Sequence, residues 1–307
     1  MNEEEFSSLV LLCAGEVFDD REKTYLTPTR LVKLIVCVAE DLGFDITRGW
    51  YKYGKYSPTA YAVVRKYEPP FLEPYLSYVE IPNEGELLSK YYDLIGMIRE
   101  SIRKLKRYFI TTNYEFKNWI YRELAPTKYR GLYQVHQRFE ENFDRLLKNL
   151  EVGSDCNLAI EEMYNIIGEY YNNITHIDDE EIVGIFCDYM DLLEMLLLKI
   201  QKTKKVNEAM LLLLKKLREL YCNEEDLWKL LVPYLDTLEG ANAEQEKEKY
   251  ASKIQFLKAF LNEEIQTIKQ TADRYGLLPT LEEVREEIKS RFKKLPDSKK
   301  IELEKIY

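Results

Sequence analysis

The sequence is poor in histidine and in the residues that make tight turns. Its 307 residues include only 12 glycines, 10 prolines and two histidines. Few glycines and prolines argue against an all-β architecture, which needs many turns. Two histidines leave few candidates for a nucleophile–histidine pair. These scarcities favour a helical protein and make a hydrolase site of the familiar kind unexpected.

Cysteines are few and widely separated, and no hydrophobic run is long. A disulfide framework or a zinc knuckle needs closely spaced cysteines, so we expect the five to be reduced, mostly buried thiols. A bilayer-spanning helix needs about 20 apolar residues, and none is found. The acidic start, residues 1–5, is unlike a secretory signal. We therefore expect a cytoplasmic protein that does not contact a membrane. The cysteines are Cys13, Cys37, Cys156, Cys187 and Cys222.

Hydrophobic residues make up 46% of the chain and charged residues 32%, with many good helix formers. Apolar spacing predicts helices over 5–18 and 28–42, the second starting at the N-cap Thr27 and ending at Gly43. Residues 46–58 predict a short hairpin or an extended loop, followed by a helix to residue 67. This order predicts a winged-helix-like or small α-helical module over residues 1–82, closed by a proline-rich connector between residues 69 and 82.

In residues 83–307 the spacing of apolar residues predicts helices throughout. This part of the chain divides into a basic aromatic helical segment, residues 83–152, and an acidic helical bundle, residues 153–307. Short loops favour antiparallel helices packed as a bundle or hairpin array, so the fold class is mainly α. The predicted helices are 86–109, 114–124, 132–150, 156–172, 178–202, 206–221, 224–238, 243–275, 280–293 and 297–305.

Basic residues are concentrated in the first half, although the net charge of the chain is −10. Residues 48–67 contain no acid, and residues 99–138 hold many more bases than acids. Bases bind phosphates and interleaved aromatic rings stack on nucleobases, which predicts nucleic-acid binding. The alternative is that the rings are core and the bases are solvated helix faces. The predicted phosphate contacts are Arg48, Lys52, Lys55, Arg65, Lys66, Arg103, Lys104, Lys106 and Arg107.

Aromatic residues around the predicted hairpin support a second hypothesis. Tyrosine and tryptophan are favoured contact residues in protein interfaces. An aromatic loop carried on a buried helix would therefore suit a protein-interaction module. The predicted partner contacts are Trp50, Tyr51, Tyr53 and Tyr56.

Local catalytic signatures are weak. Asp93 with Glu115 and Lys117 has the letters of a nuclease, but these residues fall in helical patterns. Residues 176–181 hold one histidine and four acids whose helical spacing spreads them apart, so an N-cap at Asp178 or Asp179 is the preferred role. Phosphate-binding glycine loops and a Gly-x-Ser-x-Gly elbow are missing. The sequence thus favours a protein without enzymatic activity, and it predicts no cofactor and no metal.

A helix containing Lys33-Leu34 precedes the stretch Gly49-Trp50-Tyr51-Lys52-Tyr53-Gly54-Lys55-Tyr56-Ser57-Pro58. Over residues 29–58 this pattern resembles Panacea (SocA-like) antitoxin domains, and it is similar to uncharacterised archaeal proteins. The resemblance implies a small helical module that binds a partner protein, often a toxin, and that need not perform chemistry.

Two functions remain open from the sequence. The first, which the sequence favours, is a non-enzymatic regulator that contacts nucleic acid through the basic aromatic half. The second is an antitoxin-like or scaffold module that binds a protein through the loop around Trp50. The oligomeric state stays open in both.

Overall fold

The computed structural model describes residues 1–67, 84–203, 206–223 and 226–294. These residues are mainly helical, with one hairpin of two short strands, which confirms the mainly α prediction. They divide into two compact units: unit 1 takes the described residues of 1–134 and 232–254, and unit 2 takes those of 135–231 and 255–294. This grouping differs from the three predicted segments, because residues 232–254 join the first part of the chain. The proline-rich connector and the helix predicted at 297–305 lie outside the described residues.

The described residues form helices and one pair of strands in succession along the chain. In the first half they are α1 Glu3–Val17, α2 Asp20–Lys23, α3 Pro28–Asp41, β1 Gly49–Tyr51, β2 Gly54–Tyr56, α4 Pro58–Lys66, α5 Glu84–Lys90, α6 Tyr92–Phe109, α7 Asn113–Asn118, a π-helical segment Trp119–Leu124 and α8 Arg130–Glu151. In the second half they are α9 Asn157–Asn173, α10 Glu180–Thr203, α11 Glu208–Tyr221, α12 Trp228–Leu231, α13 Tyr234–Thr237, α14 Ala243–Arg274 and α15 Leu281–Lys294.

Helix α3 begins and ends where its sequence predicts. The Thr27 hydroxyl accepts the backbone N–H of Arg30 at 3.4 Å, and Pro28 occupies the first helical position. A proline costs nothing there, because that N–H would have no helical partner. Gly43 has a φ of 64°, a left-handed conformation that glycine adopts without strain and that stops the helix.

The hairpin that follows α3 is confirmed. Strands β1 and β2 pair antiparallel, with Trp50 opposite Lys55, and the turn consists of Lys52 and Tyr53. Immediately before β1, the backbone of Arg48 exchanges two hydrogen bonds of 2.9 Å with that of Glu239. Two helices and a hairpin fit the predicted order of a winged-helix-like module, and the winged-helix assignment itself stays a prediction.

The core of unit 1 lies between helices α1, α3, α4 and α6, which pack against one another. Fully buried side chains such as Phe6, Leu34 and Ile102 fill it. The buried Arg30 fastens α3 to the end of α6, since its guanidinium donates to the carbonyls of Phe109 at 2.5 Å and Thr111 at 2.8 Å. The face of α3 that carries Lys33 is thereby fixed against the rest of the unit.

Unit 2 is built on α10, which contacts α9 and α11. Its core is rich in buried aromatic rings, among them Phe139, Tyr170 and Tyr221. The Tyr189 hydroxyl donates to the Leu217 carbonyl at 2.8 Å and joins α10 to α11. Among the helices of both units that are described, none combines the length and apolarity that a membrane crossing requires.

Candidate binding site

The hairpin places its aromatic side chains in different surroundings. Trp50 is only 7% exposed, and its ring meets that of Tyr133 edge-on at 5.5 Å. The backbone N–H of Trp50 donates to Thr237 Oγ1 at 2.8 Å. Trp50 therefore belongs to the core of unit 1, whereas Tyr53 at the turn is 42% exposed.

Four tyrosine rings contact one another at the hairpin. The ring of Tyr234 lies 5.2 Å from that of Tyr51, 5.9 Å from that of Tyr56 and 4.8 Å from that of Tyr250. Such tilted and edge-on contacts are the favoured geometry of aromatic pairs. Burial raises the pKa of Tyr56, so its hydroxyl stays protonated and able to donate a hydrogen bond at neutral pH.

A concavity of about 500 Å³ opens between α3, the hairpin and α4. This volume lies within the range of about 300–1,000 Å³ that is typical of ligand pockets. We call it the hairpin pocket, and it is lined by Pro28, Thr29, Val32, Lys33, Tyr51, Tyr53, Gly54, Tyr56, Tyr61 and Arg65. Two of these side chains carry an amine or a guanidinium, and four are tyrosines.

Lys33 supplies the amine in the pocket wall. It is 4% exposed, and its Nζ donates to the backbone carbonyl of Lys55 at 3.4 Å. Burial disfavours the charged form and lowers the pKa of Lys33 to about 7. An approaching anion would favour the ammonium form, so Lys33 is poised to respond to a negatively charged ligand.

Arg65 stands on α4 at the exposed rim of the pocket. Its Nε donates to the Tyr61 hydroxyl at 2.9 Å, and its guanidinium carbon lies 5.5 Å from the centroid of the Tyr61 ring. Tyr61 is 40% exposed. The pair presents a planar cation beside an aromatic face, an arrangement that suits a carboxylate or a phosphate.

The cations between residues 48 and 66 that are predicted to contact phosphates differ in their accessibility. Arg48 forms ion pairs with Glu40 at 3.4 Å and Glu239 at 2.8 Å, and Lys55 is paired with Glu40 as well. Lys52 is 4% exposed. Within this window Arg65 and Lys66 are the cations that the structure leaves exposed, so the hairpin offers fewer accessible charges than its sequence indicates.

The cations predicted on α6 are mostly accessible. Arg103, Lys104 and Arg107 are exposed. Lys106 is half-buried, and it pairs with Glu22 at 2.5 Å and donates to the Val17 carbonyl at 3.0 Å. Three of the four predicted contacts on this helix therefore face solvent.

Sequence reasoning overlooked two contributors to the pocket region. Lys33 enters the sequence analysis only within the pattern that resembles antitoxin domains and receives no role there, although a lysine between the apolar positions of a buried helix is itself a signal. Tyr234 lies far along the chain, and no local pattern relates it to the hairpin. Its approach depends on residues 232–254 joining unit 1.

Two of the acids considered for a nuclease or a metal site, Glu115 and Asp179, are engaged at helix ends. Glu115 on α7 accepts the backbone N–H of Thr112 at 3.0 Å and thus serves as a capping residue. Asp179 accepts the N–H groups of Glu181 and Ile182, both at 3.1 Å, which confirms its N-cap role. Asp179 and Glu181 both bind the ammonium of Lys258. These carboxylates therefore have structural partners.

Comparison with known proteins gives one family. No curated protein and no solved structure matches the chain. Residues 62–295 match the family described as a domain of unknown function, DUF8098. The matched region begins within α4, so it includes Arg65 of the hairpin pocket and lies beyond the hairpin itself. Because it spans most of the sequence, the chain belongs to the DUF8098 family.

Proposed function

We propose that this protein is a non-enzymatic binding protein that docks an acidic segment of a partner protein in the hairpin pocket. The observation that carries the proposal is the convergence of Lys33, Arg65 and four tyrosines around a concavity of about 500 Å³. Tyrosine and arginine are, with tryptophan, the residues enriched at the energetic centre of protein interfaces. The pocket supplies both, on elements that are fixed to the core of unit 1.

The positive charges that line the hairpin pocket indicate an acidic ligand. Lys33 and Arg65 complement a carboxylate, and the exposed Tyr53 and Tyr61 offer rings against which the segment would pack. The whole chain carries a net charge of −10, so an acidic ligand needs a local concentration of cations such as the pocket supplies. The resemblance of residues 29–58 to antitoxin domains supports a partner of the same class, namely a protein.

A peptide selection followed by affinity measurement tests the proposal. Random 12-residue peptides displayed on phage are selected on the full chain, and fluorescein-labelled copies of the enriched peptides are titrated by anisotropy. We expect enrichment of peptides that carry Asp or Glu. Tyr53→Ala should weaken their binding about tenfold, which corresponds to about 1.4 kcal/mol.

Tyr275→Ala provides the matched control, because Tyr275 is 63% exposed and lies in unit 2. It should leave peptide affinity unchanged. Enriched peptides without acidic residues, or peptides that bind wild type and Tyr53→Ala equally, would refute docking in the hairpin pocket.

A second candidate, nucleic-acid binding, is favoured by the exposed cations of α6. Arg103, Lys104 and Arg107 lie on one accessible stretch of that helix, and such groups bind phosphates with a steep salt dependence. Anisotropy with labelled 20-nucleotide DNA and RNA should then show binding that weakens as salt rises and that Lys104→Glu reduces. Absence of binding at low salt excludes this candidate.

A further inference from the structure

Three side chains with metal-binding atoms converge in unit 2, in a region that the proposed function does not use. His136 and Glu140 are one turn apart on α8, and Cys222 directly follows the end of α11. One donor atom of each lies within 4.8 Å of the other two. The imidazole Nε2 of His136 is 3.2 Å from Glu140 Oε2. The residues thus bring a nitrogen, an oxygen and a sulfur to one place.

The imidazole of His136 is held in a fixed orientation. It is fully buried, and it stacks on the ring of Trp228 with centroids 3.8 Å apart and planes 3° from parallel. Its Nδ1 lies 2.8 Å from the Tyr221 hydroxyl. When Nδ1 carries the proton and donates to Tyr221, Nε2 presents its lone pair on the side of Glu140. Metal-binding histidines are typically oriented in this way by a partner on the second nitrogen.

Glu140 is also oriented by a second contact. Its Oε1 accepts from Arg218 Nη2 at 3.2 Å, while Oε2 faces His136. Arg218 in turn donates through Nε to Asp144 at 2.8 Å. The positive charge of Arg218 is therefore matched by Asp144. Glu140 together with the thiolate form of Cys222 would balance the two charges of a divalent ion.

We propose that His136 Nε2, Glu140 Oε2 and Cys222 Sγ bind a zinc ion, with water as the fourth ligand. Zinc accepts this mixture of nitrogen, oxygen and sulfur, whereas calcium and magnesium require oxygen alone. Zinc ligands lie about 2.0–2.3 Å from the ion. The three donor atoms lie within 4.8 Å of one another, so side-chain movements of about 1 Å would bring them to ligand distance from one ion. Binding releases the thiol proton of Cys222 to solvent, and the sulfur then donates an electron pair to the metal.

Metal titration of the full chain tests this site. The protein is stripped with a chelator, and Zn²⁺ is added in competition with a chromophoric chelator; Co²⁺ is then used as a spectroscopic probe. We expect one equivalent of tightly bound zinc, and a cobalt spectrum with tetrahedral bands and a thiolate charge-transfer band. Cys222→Ser should abolish that band and weaken zinc binding at least 100-fold.

Two further variants separate ligation from folding. Cys187→Ser is the matched control, since Cys187 is another partly buried thiol of unit 2, and it should change neither stoichiometry nor spectrum. Glu140→Gln keeps the shape of the side chain and an acceptor for Arg218, and should still weaken zinc binding at least tenfold. Less than one equivalent of zinc on the wild-type chain, or a charge-transfer band that survives Cys222→Ser, overturns the proposal.

Discussion

At the scale of single residues, Lys33 is the most informative side chain of the hairpin pocket. Its amine is buried in the wall of a concavity that otherwise offers tyrosine rings and the guanidinium of Arg65. Burial lowers its pKa from an ordinary value of 10.5 to about 7. The folded protein therefore bears the cost of a buried ammonium at acidic pH, and that cost falls as the pH rises from about 7 toward 10.5.

This shift predicts a specific dependence of stability on pH. Between pH 7 and pH 10.5 the unfolded chain holds the Lys33 proton more tightly than the folded chain does, so the stability contributed by this group rises with pH in that window. The gain is at most about 1.4 kcal/mol per pH unit. Urea unfolding at pH 7 and pH 8.5 should show a gain of up to about 2 kcal/mol in wild type relative to Lys33→Met.

The control for that measurement is Lys104→Met, which removes an exposed lysine from α6. Its free energy of unfolding should change with pH as that of wild type does. Parallel curves for wild type and Lys33→Met would show that the amine titrates as an ordinary lysine, contrary to its burial.

At the scale of elements, the hairpin depends on Gly54. Its φ is 93°, and a Cβ at this position would lie 2.4 Å from Ile120 Cγ2. Gly43 also has a positive φ, of 64°, yet nothing lies within 4 Å of the Cβ that it would carry. The two glycines therefore share the conformational restriction and differ in the space around them.

Alanine substitution at the two glycines should separate strain from steric clash. Gly43→Ala should cost about 1–2 kcal/mol, the ordinary price of a left-handed alanine. Gly54→Ala adds an overlap with Ile120 and should cost at least about 1 kcal/mol more. Urea unfolding monitored by tryptophan fluorescence measures both. Equal losses of stability would mean that the hairpin moves away from Ile120 without resistance.

The elements that local rules govern could be predicted from the sequence, and the others could not. Thr27, Pro28 and Gly43 set the ends of α3 by contacts within a few residues. The helix predicted at 224–238 is instead two four-residue helices, α12 and α13, and Pro233 between them lacks the N–H that a continuous helix requires.

The candidate site was less predictable than the helices. Trp50 stands in an aromatic, basic stretch that indicates a surface loop, yet its burial depends on Tyr133 and Thr237. Likewise, the acids that pair with Arg48 lie at positions 40 and 239, one of them far along the chain. Such distant partners leave no trace in a local pattern, because sequence periodicity reports which face is buried and not what covers it.

At the scale of the whole molecule, unit 1 is discontinuous in sequence. Residues 232–254 supply Tyr234 against the hairpin rings, Thr237 to the backbone of Trp50, and Glu239 to the backbone and side chain of Arg48. A fragment of residues 1–134 lacks all three and should unfold at a clearly lower temperature than the full chain. Circular dichroism during heating measures the midpoint; an unchanged midpoint would show that 232–254 add nothing to the stability of the unit.

Recognition of acidic protein segments by the charge of the hairpin pocket can be tested with a pair of charge reversals. Arg65 lines the pocket, whereas Lys66, the next residue of α4, is exposed and does not line it. Affinity of a selected acidic peptide is measured by anisotropy for wild type, Arg65→Glu and Lys66→Glu. We expect at least a tenfold loss of affinity for Arg65→Glu and less than a threefold loss for Lys66→Glu. Equal losses in the two variants, or none in Arg65→Glu, would contradict recognition by charge.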